Sequence, residues 1–164
     1  MGMIIKDKLQ QLMKGYPTVS DKYNVSGGIL TGNTAAKFGD LVKRSGTPGY
    51  FEAITGAVTV NDVAGFILAT NVKLTENWPG TTVQVNPGEA FNLLVNGFIA
   101  IELDSEANLA AVIPNSSVAL ILATGKLTSA DKIDSSTIVA LPNCVFTGIS
   151  ETHGTAKFAE IYVK

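Results

Sequence analysis

Few side chains in this 164-residue sequence have the type and spacing for covalent or acid–base chemistry. Glu102 and Asp104 lie two residues apart, so on a strand they share a face, as a carboxylate pair that cleaves glycosides must. They close an apolar run and Glu106 follows, which reads as a solvated strand end. Asp131 and Asp134 lack the regular ligand spacing of a calcium loop and read as turn or cap residues. Cys144 is the sole cysteine, which excludes an intramolecular disulfide and a thiolate metal cluster. In Asn143-Cys144-Val145-Phe146 it reads as a buried structural thiol. His153, the sole histidine, sits in the turn-like Glu151-Thr152-His153-Gly154-Thr155 and reads as a solvated turn residue. There is no glycine-rich phosphate loop, since Gly125-Lys126 is followed by Leu127, and no nucleophile elbow or His-Glu-x-x-His. The expectation is a protein that is not an enzyme and takes no cofactor and no metal. Trp78, before Pro79-Gly80, suits a sugar platform, an interface anchor or an aromatic that closes the end of a core.

The elements that would carry these residues are mostly strands. Short runs rich in Val, Ile, Phe and Thr recur from Ser26 onward, separated by Gly, Pro, Asn and Asp. The runs are Gly28–Thr31, Phe38–Arg44, Tyr50–Ile54, Gly65–Thr70, Thr82–Val85, Phe91–Val95, Phe98–Leu103, Val118–Ala123, Ile138–Leu141, Val145–Ile149 and Lys157–Val163. Without alternating helices this pattern predicts an all-β fold, an antiparallel β-sandwich or β-barrel. Asn96-Gly97 between two apolar runs predicts a hairpin with a type I′ turn. That register puts Phe91, Leu93, Val95, Phe98 and Ala100 on one face and Leu94, Ile99, Ile101 and Leu103 on the other. A hairpin apolar on both faces is either enclosed in one core or shared with another chain. The stretch Phe66–Thr75 echoes Leu120–Thr128 with one residue deleted, which convergent strand-turn composition accounts for.

Ahead of the strands, Ile4, Ile5, Leu9, Leu12 and Met13 recur at helical spacing, and Gly15 ends the pattern. A short amphipathic helix is expected there, docked on its own core or reaching a neighbour as an arm. The domain reading is an N-terminal helix and extended arm over 1–25 and a single β domain over 26–164.

Composition narrows the function class. Hydrophobic residues make up 46% and charged residues 16%, well below the roughly one quarter usual for globular chains. Disorder is excluded, and apolar surface covered by a partner is expected. The net charge is −2, and no Lys or Arg occurs between Leu74 and Gly125. That acidic stretch would repel phosphate, so no nucleic acid is expected. No run approaches the roughly 18 apolar residues of a membrane span, and the N-terminus lacks a signal-peptide core, so no membrane association or export is expected. The candidate partner surface comprises Ile4, Ile5, Leu9, Leu12, Met13, Trp78, Phe91, Leu93, Val95 and Phe98.

Three stretches resemble the head-decoration, or structural cement, proteins of tailed bacteriophages. They are Gly27-Gly28-Ile29-Leu30-Thr31-Gly32 through Phe38-Gly39-Asp40-Leu41-Val42, then Ala57–Ile67, and finally Val83–Glu89 leading into Asn96-Gly97, with the closing run from Phe146-Thr147-Gly148 to Tyr162-Val163. The resemblance covers about residues 26–163. It implies a β-barrel or sandwich body, a homotrimer, and a place on the capsid exterior where it clamps major capsid protein subunits, with assembly in the host cytoplasm. The N-terminal amphipathic segment is less typical of that family. A carbohydrate-binding or adhesin module of a phage fibre or tail is the alternative.

Overall fold

The computed structural model describes residues 12, 14–18, 23–69 and 84–164. The helix expected over Ile4–Met13 lies outside them, except for Leu12. The eleven strands are β1 (Tyr23–Thr31), β2 (Ala36–Lys37), β3 (Leu41–Arg44), β4 (Tyr50–Ala53), β5 (Val63–Leu68), β6 (Gln84–Val85), β7 (Ala90–Leu103), β8 (Ser117–Ile121), β9 (Leu127–Thr128), β10 (Ile138–His153) and β11 (Ala156–Val163). Among the described residues the only helical pieces are single 3-10 turns at Val60–Asp62, Leu109–Ala111 and Ala130–Lys132. The all-β expectation holds.

The pairings close on themselves. β1 pairs with β4 in parallel, and β4–β3, β3–β5, β5–β7 and β7–β1 pair antiparallel, so five strands form a barrel-like ring. A second wing leaves the ring along β7 in the order β7-β11-β10-β8-β9. β2 and β6 make a separate two-stranded ladder.

Each sheet layer has its own core. Leu30, Phe38, Val42, Ile67, Phe91 and Leu93 fill the ring, with Phe51 packed edge-on to Phe91 at 5.7 Å. Phe66, Leu94, Ile99, Ile101, Leu120, Phe146 and Ile161 fill the larger core, shared between ring strands and the second wing. Each such side chain taken fully out of water contributes about 1.5–3 kcal/mol. β5 shows how one strand serves both cores: Phe66 and Leu68 enter the larger one and Ile67 the ring, the period of two that a strand imposes.

The Asn96-Gly97 turn is not formed. β7 runs unbroken through both residues, with Gly97 at φ +137° and Asn96 outside the positive-φ region that a type I′ turn requires. Both halves already have partners elsewhere: β1 lines one edge from Ala90 to Gly97, while β5 and then β11 line the other. The Asn96 amide donates to the carbonyl of Val163 at 3.0 Å and to the hydroxyl of Tyr162 at 3.3 Å, fastening the C-terminal strand. The predicted division of faces nevertheless survives for Phe91 and Leu93, in the ring core, against Leu94, Ile99, Ile101 and Leu103, in the larger one, with Val95 the exception. Asn24 faces Asn96 and Val25 faces Leu94, so Val95 is an extra residue, and this bulge shifts the alternation by one just as a two-residue turn would.

Two more expected strands, Ile138–Leu141 and Val145–Ile149, are one strand, β10, with irregular register after Ala140 and after Phe146. The run expected to begin at Phe38 begins at Leu41, because Gly39 turns at φ +80° and the Asp40 carboxylate accepts the Lys37 amide at 2.9 Å.

Residues 14–18 precede β1 and lie along the same edge of β7. Gly15 donates to Ala100 O at 2.8 Å, Ala100 donates to Tyr16 O at 3.1 Å, and Pro17 bridges Ile99. Ala69 donates to Gly15 O at 2.8 Å, which ties this segment to the end of β5 as well.

Candidate interaction surface

The groups that could have done chemistry are engaged structurally. Glu102 and Asp104 border a cleft of about 500 Å³ that Lys14, Asp40 and Lys126 also line. Lys14 sits 2.6 Å from Asp40 and 3.3 Å from Glu102, and Lys126 sits 3.5 Å from Asp104. Sequence reading found the carboxylates but not these two lysines, because both come from segments distant along the chain. Each pair is partly solvated and contributes on the order of 0–1 kcal/mol.

Cys144 is buried in the larger core, and burial pushes its thiol up to about 12, so it stays protonated at neutral pH and is a poor nucleophile. His153 stands at the end of β10, where Gly154 turns the chain into β11 at φ +63°. Its Nε2 lies 2.9 Å from the Glu151 carboxylate and its ring packs on Phe158 at 4.9 Å. The same carboxylate oxygen accepts the Leu12 amide, so Glu151 is shared between the turn and the N-terminal segment. Asp134 accepts from the amides of Ser136, Thr137 and Ile138 and from the Thr137 hydroxyl. These donors, the Ile138 amide foremost, hold its carboxyl below the usual carboxylate range. It is a loop cap, as its sequence context indicated.

What the fold leaves unused is apolar. Tyr23, Val25, Tyr50, Val95, Ile113 and Ile149 are all exposed large hydrophobics, Ile113 at 56% and Val95 and Ile149 at 51%. All but Val95, which stands at the bulge of β7, fall into two regions. Tyr23 and Val25 alternate along β1 outside the ring, and Tyr50 stands beside Ile29 on the neighbouring β4. On the far wing, the ring of Pro114 lies directly over Gly148, which brings Ile113 and Ile149 into one neighbourhood.

The residues proposed from sequence are dispersed by the fold. Val95 is exposed at the bulge of β7. Phe98 is half-buried with its ring 4.7 Å from that of Tyr162. Phe91 and Leu93 are corrected: they point into the ring and are consumed by the chain's own core, at 4% and 7% exposure. Leu12 is buried as well. Ile4, Ile5, Leu9, Met13 and Trp78 lie outside the described residues. Sequence reading missed Tyr23 and Val25 because it assigned them to an extended arm. Their alternation with Asn24 and Ser26 was the available signal.

Comparison with known proteins bears on what such a surface serves. Residues 5–163 match the family described as structural cement protein (E217 gp24/Pam3 gp6). The fold is similar to a chain of a solved structure, "The capsid of Myoviridae Phage XM1", with a TM-score of 0.65, 18% sequence identity, and coverage of 94% of this chain and 93% of that one. No curated protein sequence matches the chain.

Proposed function

Because this chain belongs to the phage structural cement proteins, we propose that it sits on the capsid exterior, binds the major capsid protein lattice and stabilises the head as a homotrimer. The observation that carries this reading is the set of exposed apolar side chains on two separate regions, Tyr23, Val25 and Tyr50 on one and Ile113 and Ile149 on the other. Exposed apolar groups distributed this way suit a subunit that touches more than one neighbour. Closed three-fold symmetry would use different surfaces on either side of each copy. Individually weak contacts would be multiplied by the many copies on one shell. Such work needs no nucleophile and no cofactor, and the ionisable groups described above serve local structure.

Two measurements test the proposal. Light scattering should give three times the chain mass, and the protein should co-sediment with capsid shells prepared without it and raise their resistance to heat or chelator. A monomer that ignores shells would overturn it.

A further inference from the structure

We propose that the open edge of β1, from Tyr23 to Gly28, is the docking site for an extended segment of a capsid shell subunit, which adds there as a further strand. The inference rests on the shell-binding reading above and names the contact that would carry it. β1 pairs with β7 over Tyr23–Ile29 on one edge, whereas β4 covers the other edge only at Ile29–Thr31. Six residues therefore have no strand partner on that side among the described residues. Their polar backbone groups can be assigned. The Ile29 amide donates outward to Gly49 at 3.0 Å, while the Leu30 amide donates to Glu89 at 3.0 Å on the β7 side. By alternation the N–H and C=O groups of Val25 and Gly27 point to the open edge, and their side chains stand on the outer face.

Three observations favour a peptide occupant. First, the edge is unguarded: Tyr23-Asn24-Val25-Ser26-Gly27-Gly28 contains no charge and no proline, the usual protection of an exposed edge. Among the described residues the other margins of the main sheet are blunted, β9 by being two residues long and the end of β10 by a bulge, Glu151 and His153. Second, nothing among the described residues requires Gly27 to be glycine. Its φ lies outside the positive range, and a Cβ built there meets nothing within 4 Å. Its neighbour Gly28 differs, since a Cβ would strike Phe51 at 2.6 Å. A glycine inside a strand costs stability and often marks close approach by another backbone. Third, Tyr23, Val25 and Tyr50 are exposed beside this edge, giving an added strand an apolar flank on which to rest.

The size of the edge selects the occupant. Six strand residues span about 20 Å, one strand spacing of about 5 Å wide. That strip is far below the roughly 1,200 Å² a free-standing pair of subunits needs. It suits a contact repeated over a lattice, where avidity supplies what one copy lacks.

The test is Gly27→Val, which should fold at least as stably as the parent because its side chain enters open space and suits a strand, together with Val25→Pro, which removes an edge-facing donor and one side chain of the apolar flank but no backbone donor to β7. Binding of both to capsid shells prepared without the protein should weaken by about tenfold or more, with denaturation midpoint and oligomeric mass unchanged for Gly27→Val. Shell binding equal to the parent would overturn the docking edge and leave the cement reading standing. A fall in oligomeric mass would overturn it by making a second copy the occupant. If the parent itself failed to bind shells, the cement reading would fall and the inference with it.

Discussion

Asp134 illustrates how much of this molecule's polar chemistry is local. One carboxylate gathers three backbone amides and the Ser136 and Thr137 hydroxyls, so the loop before β10 is fixed without any buried charge. Its folded-state pKa is depressed below the unfolded value by those donors. The stabilisation is therefore fully present above about pH 4, the unfolded carboxyl value, and is lost as the pH falls toward the folded one. Urea midpoints measured from pH 6 down to pH 2 should fall more steeply for the parent than for Asp134→Asn, which should be weaker at neutral pH and converge with the parent in acid. Asp134's role was legible in the sequence, because short-range caps depend on neighbours along the chain. The lysines that meet Glu102 and Asp104 were not, because nothing local joins them.

Among elements, the N-terminal segment crosses the turn before β3 with backbone against backbone. Gly15 at φ +81° and Gly39 at φ +80° face one another. A Cβ on Gly15 would lie 2.5 Å from the Phe38 Cβ, and one on Gly39 would lie 2.7 Å from the Gly15 amide. Gly15→Ala should cost about 1–3 kcal/mol in backbone conformation alone, with the clash added. The check is the denaturation midpoint, with protection of the Ala69 and Ala100 amides from exchange lost first, since both bond to this segment. Strands as a class were readable because their β-branched and aromatic content is a property of short windows. Their joins were not. Asn96-Gly97 has the chemistry of a turn, and only the presence of β1, β5 and β11 on either side makes it strand. Because a bulge and a two-residue turn shift the alternation equally, the predicted faces of Phe91, Leu93, Leu94, Ile99, Ile101 and Leu103 match the structure although the predicted connection does not form. The candidate surface fared worse, since apolar content alone does not separate Phe91, which fills the ring, from Val95, which leaves it.

At the scale of the whole molecule, β7 belongs to both layers: its first half closes the ring and its second half begins the wing. The two cores should therefore unfold as one unit rather than as separable halves. Ile99→Ala, at a fully buried position on β7, should cost about 2–5 kcal/mol. Hydrogen exchange should show protection falling together in β1 of the ring and β10 of the wing. A loss confined to the wing would mean that the ring stands by itself.

The ring also decides how the protein would bear load. β1 lies between β7 and, over its last three residues, β4, with bonds that run across the strand rather than along it. A pull directed along β1 would strain every one of those bonds at once, whereas a pull at right angles would open them singly from Tyr23. A shell that swells under internal pressure draws its surface apart tangentially. A subunit anchored with β1 lying in that surface would meet the swelling in its stiff direction, and the same subunit turned through a right angle would peel.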